Sequence, residues 1–357
     1  MVGGSRNTGA VSIALAAYGL ATLGAEFATV FTNAMMPDLM SPKQLGQLSG
    51  IGWAMDYLGG FVSLVVVLGF LAADTQTGRT ILGFAPILGL DPATHAGDRS
   101  SGPMTTIWYL VFVLPPFVFV PDTSRKMQVT RAVGLGLSSL RKSLAHARKE
   151  KTIWLFLAAS MAYRGALTAL FAFGGTFAAG QLGWQALQIE LFGILLTVTG
   201  TAGALVGGFL DDRFGPRPVL IGAIAILSMC CAAIVSIDRD TILFVIDVAP
   251  PAPGALFGSV PELLYLVLGG FIGAAAVPLQ TASCTLLINL SPPCRITEIF
   301  DLYALAGKAT SFVEPLTVAA LTAFSGSQRV GISAIIVLFA LGALLLAKVP
   351  AMRATGE

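Results

Sequence analysis

Ionisable side chains interrupt the long apolar runs of this sequence, among them Asp56, Arg164, Asp301, Lys308 and Glu314. A charge inside such a run is costly unless it faces a cavity or a partner, so these residues are candidates for binding a solute or a coupling ion. Asp301 and Lys308 are seven residues apart, which is two turns along one helix face, so both can point into the same cavity. The alternative for each residue is a structural salt bridge between helices, or a side chain that extends to the membrane interface.

A second group of charges lies between two apolar runs, in the segment Gly207–Pro218. Its charged members are Asp211, Asp212, Arg213 and Arg217. The runs on either side are each long enough to cross a hydrocarbon core of roughly 30 Å as a helix. The segment is therefore predicted to be a short turn at a membrane surface. Gly215 can adopt the positive φ of a tight reversal, and Pro216 suits the first turn of the next helix. Asp212 is placed where a helix N-terminus favours an anion.

The composition indicates an integral membrane protein. Apolar residues make up 55% of the 357 residues and charged residues only 11%, whereas a soluble domain has about a quarter charged residues. The mean hydropathy is +0.81. The cysteines lack metal-ligand spacing, so we expect neither a zinc site nor a disulfide framework: Cys230, Cys231, Cys284 and Cys294. We also expect no cofactor and no nucleic-acid partner.

The apolar runs predict nine membrane-spanning helices, at 9–35, 47–73, 105–121, 153–178, 186–210, 218–237, 261–289, 298–324 and 329–349. The loop between the third and fourth spans holds eight Lys and Arg residues against two acidic ones, which places it in the cytoplasm by the positive-inside rule. Counting from this loop places the C-terminus in the cytoplasm and the N-terminus outside. The predicted organisation is a three-span bundle at 1–121, a basic loop at 122–152 and a six-span bundle at 153–357.

Two local features interrupt the alternation of spans and loops. In the basic loop, apolar residues recur with helical spacing at Val133, Leu137, Leu140 and Leu144. This spacing predicts an amphipathic helix on the inner leaflet, which serves as a linker between the two bundles. Within the spans, Pro278 and Pro315 predict breaks at which freed carbonyl groups line a cavity.

The charged segment Gly207–Pro218 resembles the loop signature of the major facilitator superfamily, whose general form is GxLaDRxGrk. The matching residues are Gly208, Leu210, Asp212, Arg213, Gly215 and Arg217. Pro216 stands where the signature usually has a basic residue, which weakens the charge relay that the resemblance implies for this loop. The resemblance implies an all-α polytopic membrane protein of about nine helices. It also implies a secondary transporter that moves a small organic solute by alternating access.

Three longer stretches resemble the bacterial relatives of the fungal vacuolar amino-acid effluxer, the autophagy-related permeases: Thr32–Gly60, Leu170–Gly180 and Leu302–Ile332. This resemblance implies a multi-pass permease of the bacterial inner membrane whose solute is an amino acid. It aligns the chain with helices four to twelve of a twelve-helix facilitator. Because the solute path lies between two six-helix halves, such a chain is expected not to transport by itself. Lys308 belongs to the matching run AGKATSF and is the strongest candidate for contact with the solute or for helix pairing.

Several positions differ from the pattern of that branch in charge or in backbone freedom. They are Asp56, Asp301 and Glu314 in place of glycine, Cys284 in place of arginine, and Gly165–Ala166 in place of Asp-Gly directly after Arg164. A carboxylate that replaces glycine in a packed membrane helix adds both volume and charge. Two interpretations remain open, a shifted substrate preference and the decay of a truncated gene.

Two alternatives to a transporter come from other classes. One is a non-transporting remnant or membrane scaffold. The other is an intramembrane enzyme such as a prenyltransferase, which can also have nine spans. Such an enzyme carries aspartates four residues apart on one helix face to hold magnesium diphosphate. Here Asp211 and Asp212 are adjacent and point about 100° apart on a helix.

No ATP-binding loop of the form GxxxxGK followed by Ser or Thr is present, so an ion gradient such as that of H+ or the solute's own gradient would drive transport.

Overall fold

The part of the chain that the structure describes folds mainly into α-helices. The computed structural model describes residues 8–41, 44–74, 77–94, 96–119, 150–248, 256–292 and 295–350. A helix satisfies its backbone donors and acceptors within one segment, which the water-free interior of a bilayer requires. The predicted fold class, an all-α polytopic membrane protein, is confirmed. The predicted amphipathic helix at 133–144 lies outside the described residues.

Ten α-helices occupy the described residues, numbered here in chain order: α1 Thr8–Leu39, α2 Leu45–Val66, α3 Ala96–Phe119, α4 Lys151–Phe177, α5 Ala186–Phe214, α6 Pro216–Val235, α7 Val260–Leu290, α8 Ile296–Thr310, α9 Val313–Ser325 and α10 Gln328–Ala347. The helices α2 and α4 continue into single π-helical turns, Val67–Leu71 and Ala178–Leu182. Short antiparallel strands, β1 Thr241–Ile242 and β2 Ile246–Asp247, follow α6.

Seven helical segments of the described residues are long and apolar enough to cross a membrane: Leu45–Leu71, Arg99–Phe119, Lys151–Leu182, Leu187–Phe214, Pro216–Val235, Val260–Leu290 and Gln328–Ala347. The predicted span 9–35 corresponds to α1. The predicted span 298–324 is two helices, α8 and α9, which are separated at Ser311 and Phe312. Pro315 lies in the first turn of α9, where a missing N–H costs no intrahelical hydrogen bond.

The prediction of a break at Pro278 is wrong, because α7 continues through this residue. A proline removes the hydrogen bond to the carbonyl group four residues earlier, here that of Ala274. This carbonyl lies against Gly203 of α5, where an added Cβ would come within 2.8 Å of Ala274 Cα. The Pro278 ring packs on Gly207, where a Cβ would lie 2.6 Å from Pro278 Cγ. Two glycines one turn apart on α5 therefore hold the proline-containing turn of α7.

The described residues belong to two compact units. One unit draws on the ranges Met1–Ala54 and Leu137–Glu357, and the other on Met55–Gly136. The second unit contains the C-terminal part of α2, its π-helical turn, two 3₁₀ turns at Ile87–Gly89 and Pro92–Thr94, and α3. Within it, Gly97 of α3 packs so closely on the π-helical turn that a Cβ there would lie 2.7 Å from Ala72 Cα.

In the first unit, α7 is the central helix. It packs on α5 and on α6, while α10 packs on α6 and α4, and α8 and α9 pack on α4. Lipid tails are as apolar as leucine, so close packing at small residues replaces the hydrophobic effect in holding membrane helices together. The outer faces carry exposed apolar side chains such as Phe209, Phe271 and Leu344, as expected of surfaces in contact with lipid.

Candidate functional site

The prediction that the whole charged segment Gly207–Pro218 is a turn is wrong, because most of it is helical and the connection between α5 and α6 has one residue. The helix α5 ends at Phe214 and α6 begins at Pro216. Gly215 between them has a φ of 83°, and its N–H donates to Asp211 O at 2.7 Å. The prediction of a tight reversal that uses the positive φ of glycine is confirmed.

The carboxylate of Asp212 binds the N-terminus of another helix, α2. Its Oδ1 accepts from Gly46 N at 2.8 Å and its Oδ2 from Gln47 N at 3.0 Å. Both N–H groups belong to the first turn of α2, where they have no partner within the helix and where the helix dipole favours an anion. We refer to this interaction as the Asp212 contact. The sequence predicted that Asp212 lies at a helix N-terminus, but it indicated the N-terminus of α6 and not that of α2.

Glycines allow α2 and α5 to meet at this point. A Cβ on Gly46 would lie 2.8 Å from Gly208 O, and a Cβ on Gly50 would lie 2.6 Å from Ala204 O. A Cβ on Gly208 would lie 2.7 Å from Gly46 O. Each helix therefore presents two small residues four positions apart, a spacing that lets membrane helices pack backbone to backbone. The run GQLSG, residues 46–50, is the sequence signal for this helix contact, and the prediction from the sequence missed it.

The two arginines on either side of Gly215, Arg213 of α5 and Arg217 of α6, point away from the Asp212 contact. Arg217 Nη2 donates to Ala347 O at 2.6 Å. Ala347 is the last residue of α10, and a cation is favourable at the unpaired carbonyl groups of a helix C-terminus. The guanidinium of Arg213 lies over the ring of Phe214, 5.3 Å from its centroid. The charged segment thus contacts the C-terminus of α10 through Arg217 and the N-terminus of α2 through Asp212.

Arg164 of α4 contacts α8. Its guanidinium carbon lies 4.2 Å from the centroid of the Tyr303 ring, and Nη1 donates to Tyr303 O at 3.4 Å. Gly307, one turn further along α8, makes room for it, because a Cβ there would lie 2.9 Å from Nη1. An arginine over an aromatic face in a partly buried site is held by a cation–π interaction. Arg164 is half-buried, so its side chain is anchored on α8 without being fully enclosed.

Asp301 and Lys308 lie on a different face of α8. Both side chains are exposed, and their spacing leaves them roughly 20° apart around the helix. The buried face of α8 is formed by Ile299, Phe300, Leu302 and Tyr303. Lys308 is in the last turn of α8, where the helix dipole favours a cation.

Glu314 lies directly over Gly165. Its exposed fraction is 5%, and its Oε2 has no hydrogen-bond partner among the described residues. A Cβ on Gly165 would collide with the carboxylate, so a larger residue at position 165 and a glutamate at 314 cannot share this space. Two positions at which the sequence differs from the resembled pattern are therefore in contact.

The five charged candidates do not line the open cleft between α4, α5 and α7. Asp56 is an exposed residue of α2 in the second unit. In the first unit, an open cleft of about 520 Å³ lies between α4, α5 and α7, and its walls are mostly apolar, including Phe171, Phe192 and Ile272. Tyr265 OH, at its edge, donates to Gly174 O at 2.8 Å. The cleft is suited to an apolar chain rather than to a charged solute.

Comparison with known proteins identifies relatives for most of the chain. The profile of the family described as "Vacuole effluxer Atg22 like" matches residues 42–357. A Bacillus subtilis protein named as an uncharacterized MFS-type transporter, YxiO, is 20% identical over 340 residues, which cover 95% of this chain and 71% of that protein.

Two fungal proteins named autophagy-related protein 22 are also similar. The one from Coccidioides immitis is 26% identical over 268 residues, which cover 68% of this chain and 41% of the fungal protein. The one from Yarrowia lipolytica is 22% identical over 293 residues, which cover 76% of this chain and 45% of the fungal protein. The chain spans less than half the length of these two relatives.

Proposed function

Because this chain belongs to the family of Atg22-like vacuole effluxers, we propose that it is a secondary transporter of the major facilitator type. It moves a small organic solute across a membrane by alternating access, and the lipid bilayer is its other partner. The observation that carries this proposal is the Asp212 contact, which ties the loop between α5 and α6 to the N-terminus of α2. Alternating access requires helices from the two parts of a facilitator to associate and separate.

The strength of the Asp212 contact suits such a cycle. A charge at a helix terminus contributes about 0.3–1 kcal/mol at an exposed site and up to about 2 kcal/mol in a partly buried one. Conformations that exchange during function differ in free energy by a few kcal/mol. A contact of this size biases the equilibrium towards one state without preventing the other.

We propose that the solute is an amino acid and that the coupling ion is H+. The charged candidates on α4, α8 and α9 offer both signs. Arg164 and Lys308 are suited to bind a carboxylate, and Asp301 and Glu314 to bind an ammonium group. Asp56 is a further candidate, located in the second unit. The buried oxygen of Glu314 without a partner among the described residues supports a role in binding a cation or a proton.

We propose the bacterial inner membrane as the location, with the basic loop and the C-terminus in the cytoplasm. The excess of Lys and Arg in the loop at 122–152 supports this orientation. A reporter fused after Gly180 should then read outside, and one fused at Glu357 should read inside. Both reporters reading inside would contradict the proposed topology.

Uptake of labelled amino acids into proteoliposomes, with and without a pH gradient, tests the function. The chain covers 71% of the Bacillus relative, so the assay is run on the chain alone and on the chain reconstituted with the part of that relative that the match does not cover. We expect saturable uptake above that of empty liposomes in at least one preparation. Lys308→Ala should abolish it while membrane insertion is unchanged. Lys348→Ala, at an exposed position after α10, is the matched control.

Two results would contradict the proposal at different levels. Absence of saturable uptake in both preparations would argue against transport and favour a membrane scaffold. Normal uptake by Lys308→Ala would leave transport intact but make Lys308 a structural residue of α8.

A further inference from the structure

Asp211, the neighbour of Asp212, is deeply buried between helices. Its exposed fraction is 2%, and neither of its carboxylate oxygens has a partner among the described residues. Buried polar atoms nearly always have a partner, and an unpaired buried ion is far less stable than the neutral group. The carboxyl group of Asp211 is therefore more stable here as the uncharged acid.

Two neighbouring helices, α2 and α7, flank this carboxyl group. From α2, Gly46 approaches so closely that a Cβ there would lie 2.8 Å from Asp211 Cβ. From α7, Thr285 lies beside the carboxyl group, but its hydroxyl is directed to Thr281 O at 3.2 Å and makes no hydrogen bond of ordinary geometry with Asp211. Because the Thr285 proton is already donated, its oxygen remains able to accept a hydrogen bond from a protonated Asp211.

The charged and titratable groups around Asp211 do not favour its anion. On α5, the carboxylate of Asp212 adds a like charge. On α7, the buried thiol of Cys284 is the titratable neighbour. The two arginines of the charged segment are directed elsewhere, Arg213 to the Phe214 ring and Arg217 to Ala347 O. On the first turn of α2, the facing residues are glycine and glutamine.

We propose that Asp211 is a proton-binding site coupled to the Asp212 contact. The carboxyl group carries a proton while α2 packs on α5. When the two helices separate, water reaches the group, the O–H bond breaks and the proton passes to that water, leaving a hydrated carboxylate. Re-formation of the Asp212 contact then requires a proton to return. This inference rests on the proposed function only for its role in transport, because the proton site itself is a property of the helix packing.

Infrared difference spectroscopy on reconstituted protein detects this proton directly. A protonated carboxyl group has a C=O stretching band that disappears when the group ionises. We expect a band near neutral pH that is absent from Asp211→Asn and retained in Asp212→Asn. Thr285→Val should shift the frequency of the band without removing it, because the hydroxyl that accepts the proton's hydrogen bond is lost. An ionised Asp211 would give neither result.

The coupling to helix packing is tested with two glycine substitutions that add no charge. Gly46→Ala places a methyl group 2.6 Å from Asp212 Oδ1 and should push α2 away from α5. The infrared band should then disappear at a lower pH than in the wild type. Gly52→Ala is the matched control, because a Cβ at that position on α2 meets nothing within 4 Å, and it should leave the titration unchanged.

The outcomes separate this inference from the proposed function. If the wild type and Asp211→Asn have identical carboxyl bands, Asp211 is ionised and the inference is overturned, whatever the transport assay gives. If the band is present but Gly46→Ala titrates like the wild type, the proton is bound without coupling to α2, which also overturns the inference. A band assigned to Asp211 in a protein with no saturable uptake would refute the transport function alone. Should Asp211→Asn fail to fold, the frequency shift in Thr285→Val decides the assignment.

Discussion

Two carboxylates are buried to a similar degree at opposite ends of the packed pair α5 and α7, and their surroundings differ completely. Glu262, at the N-terminus of α7, has an exposed fraction of 6%. Its Oε1 accepts from Trp184 Nε1 and Gln188 Nε2, both at 3.2 Å. Its Oε2 accepts from Gly258 N at 2.9 Å and from Ser259 N and Oγ at 3.0 Å each.

Asp211, at the other end, accepts no hydrogen bond from the described residues. The comparison teaches that burial by itself does not identify a functional carboxylate in a membrane protein. Glu262 closes a capping box with Ser259 and fixes the start of α7, which is a structural task. A carboxylate equally buried but unpaired costs stability unless it is neutral, and such a cost is typical of a functional position.

The largest effect is expected from removing Glu262, the carboxylate whose hydrogen bonds are all made. Glu262→Ala removes the acceptor of five hydrogen bonds and leaves buried donors unpaired, so it should cost about 3–5 kcal/mol of unfolding free energy. Thermal or denaturant unfolding of the detergent-solubilised protein measures the loss. Glu190→Ala, an exposed acid in the early part of α5, is the control and should change stability by about 0.5 kcal/mol or less. A loss below that for Glu262→Ala would mean that its hydrogen bonds contribute little.

A smaller effect is expected from separating the helices beside Asp211. Gly208→Ala places a Cβ 2.7 Å from Gly46 O, and overpacking of this kind costs about 1–3 kcal/mol. Gly222→Ala on α6 is the matched control, because a Cβ there meets nothing within 4 Å. The same unfolding measurement compares the two variants. Equal stability of both would show that α2 moves away at no cost.

Asp212→Asn weakens the Asp212 contact and keeps its size. It should cost about 1 kcal/mol, the usual contribution of a charged cap at a helix N-terminus. Hydrogen exchange of the Gly46 and Gln47 amides, followed by mass spectrometry, should become faster. Arg213→Gln, which changes an exposed residue of the same loop, should leave these amides unaffected. Unchanged exchange in Asp212→Asn would show that the glycine packing alone holds α2.

The smallest effect is expected from Asp211→Asn. It is compared with Glu262→Gln, which makes the same change from acid to amide at the other end of the helix pair. Glu262→Gln replaces one accepting oxygen with a donor that faces other donors, and it should cost about 1–3 kcal/mol. Asp211→Asn replaces the uncharged acid with an uncharged amide that can also donate to the Thr285 hydroxyl, so stability near neutral pH should stay within about 0.5 kcal/mol of the wild type or rise. Equal losses in both variants, measured by unfolding, would show that Asp211 is held by interactions like those of Glu262.

The part of the candidate site that depends on adjacent residues was predictable from the sequence. Gly215, with prolines on its C-terminal side and charges on its N-terminal side, determined the reversal between α5 and α6, since a turn depends on a few adjacent residues. The partner of Asp212 was not predictable in the same way, because Gly46 and Gln47 are more than 160 residues away. Only the small-residue spacing of Gly46 and Gly50 marked the place where another helix would approach.

The two prolines show a similar limit. Both indicated breaks, yet α7 passes through Pro278 while the break near Pro315 is real. The difference lies in Gly203 and Gly207 of α5, which accommodate the freed carbonyl group and the proline ring. A proline's effect on a membrane helix therefore depends on its neighbour in space, which one sequence does not reveal. The same holds for Glu314, whose space is provided by Gly165 on another helix.

The division of one predicted span into α8 and α9 has a consequence for how the chain is made. The two helices have 15 and 13 residues, whereas a segment needs about 20 apolar residues to be inserted as a membrane-spanning helix by itself. We expect neither helix to partition into the bilayer alone during synthesis. Their entry should wait for α10, which is the apolar segment that follows, so that the three helices are integrated together. Biogenesis of this protein would then depend on the order in which its last helices leave the ribosome.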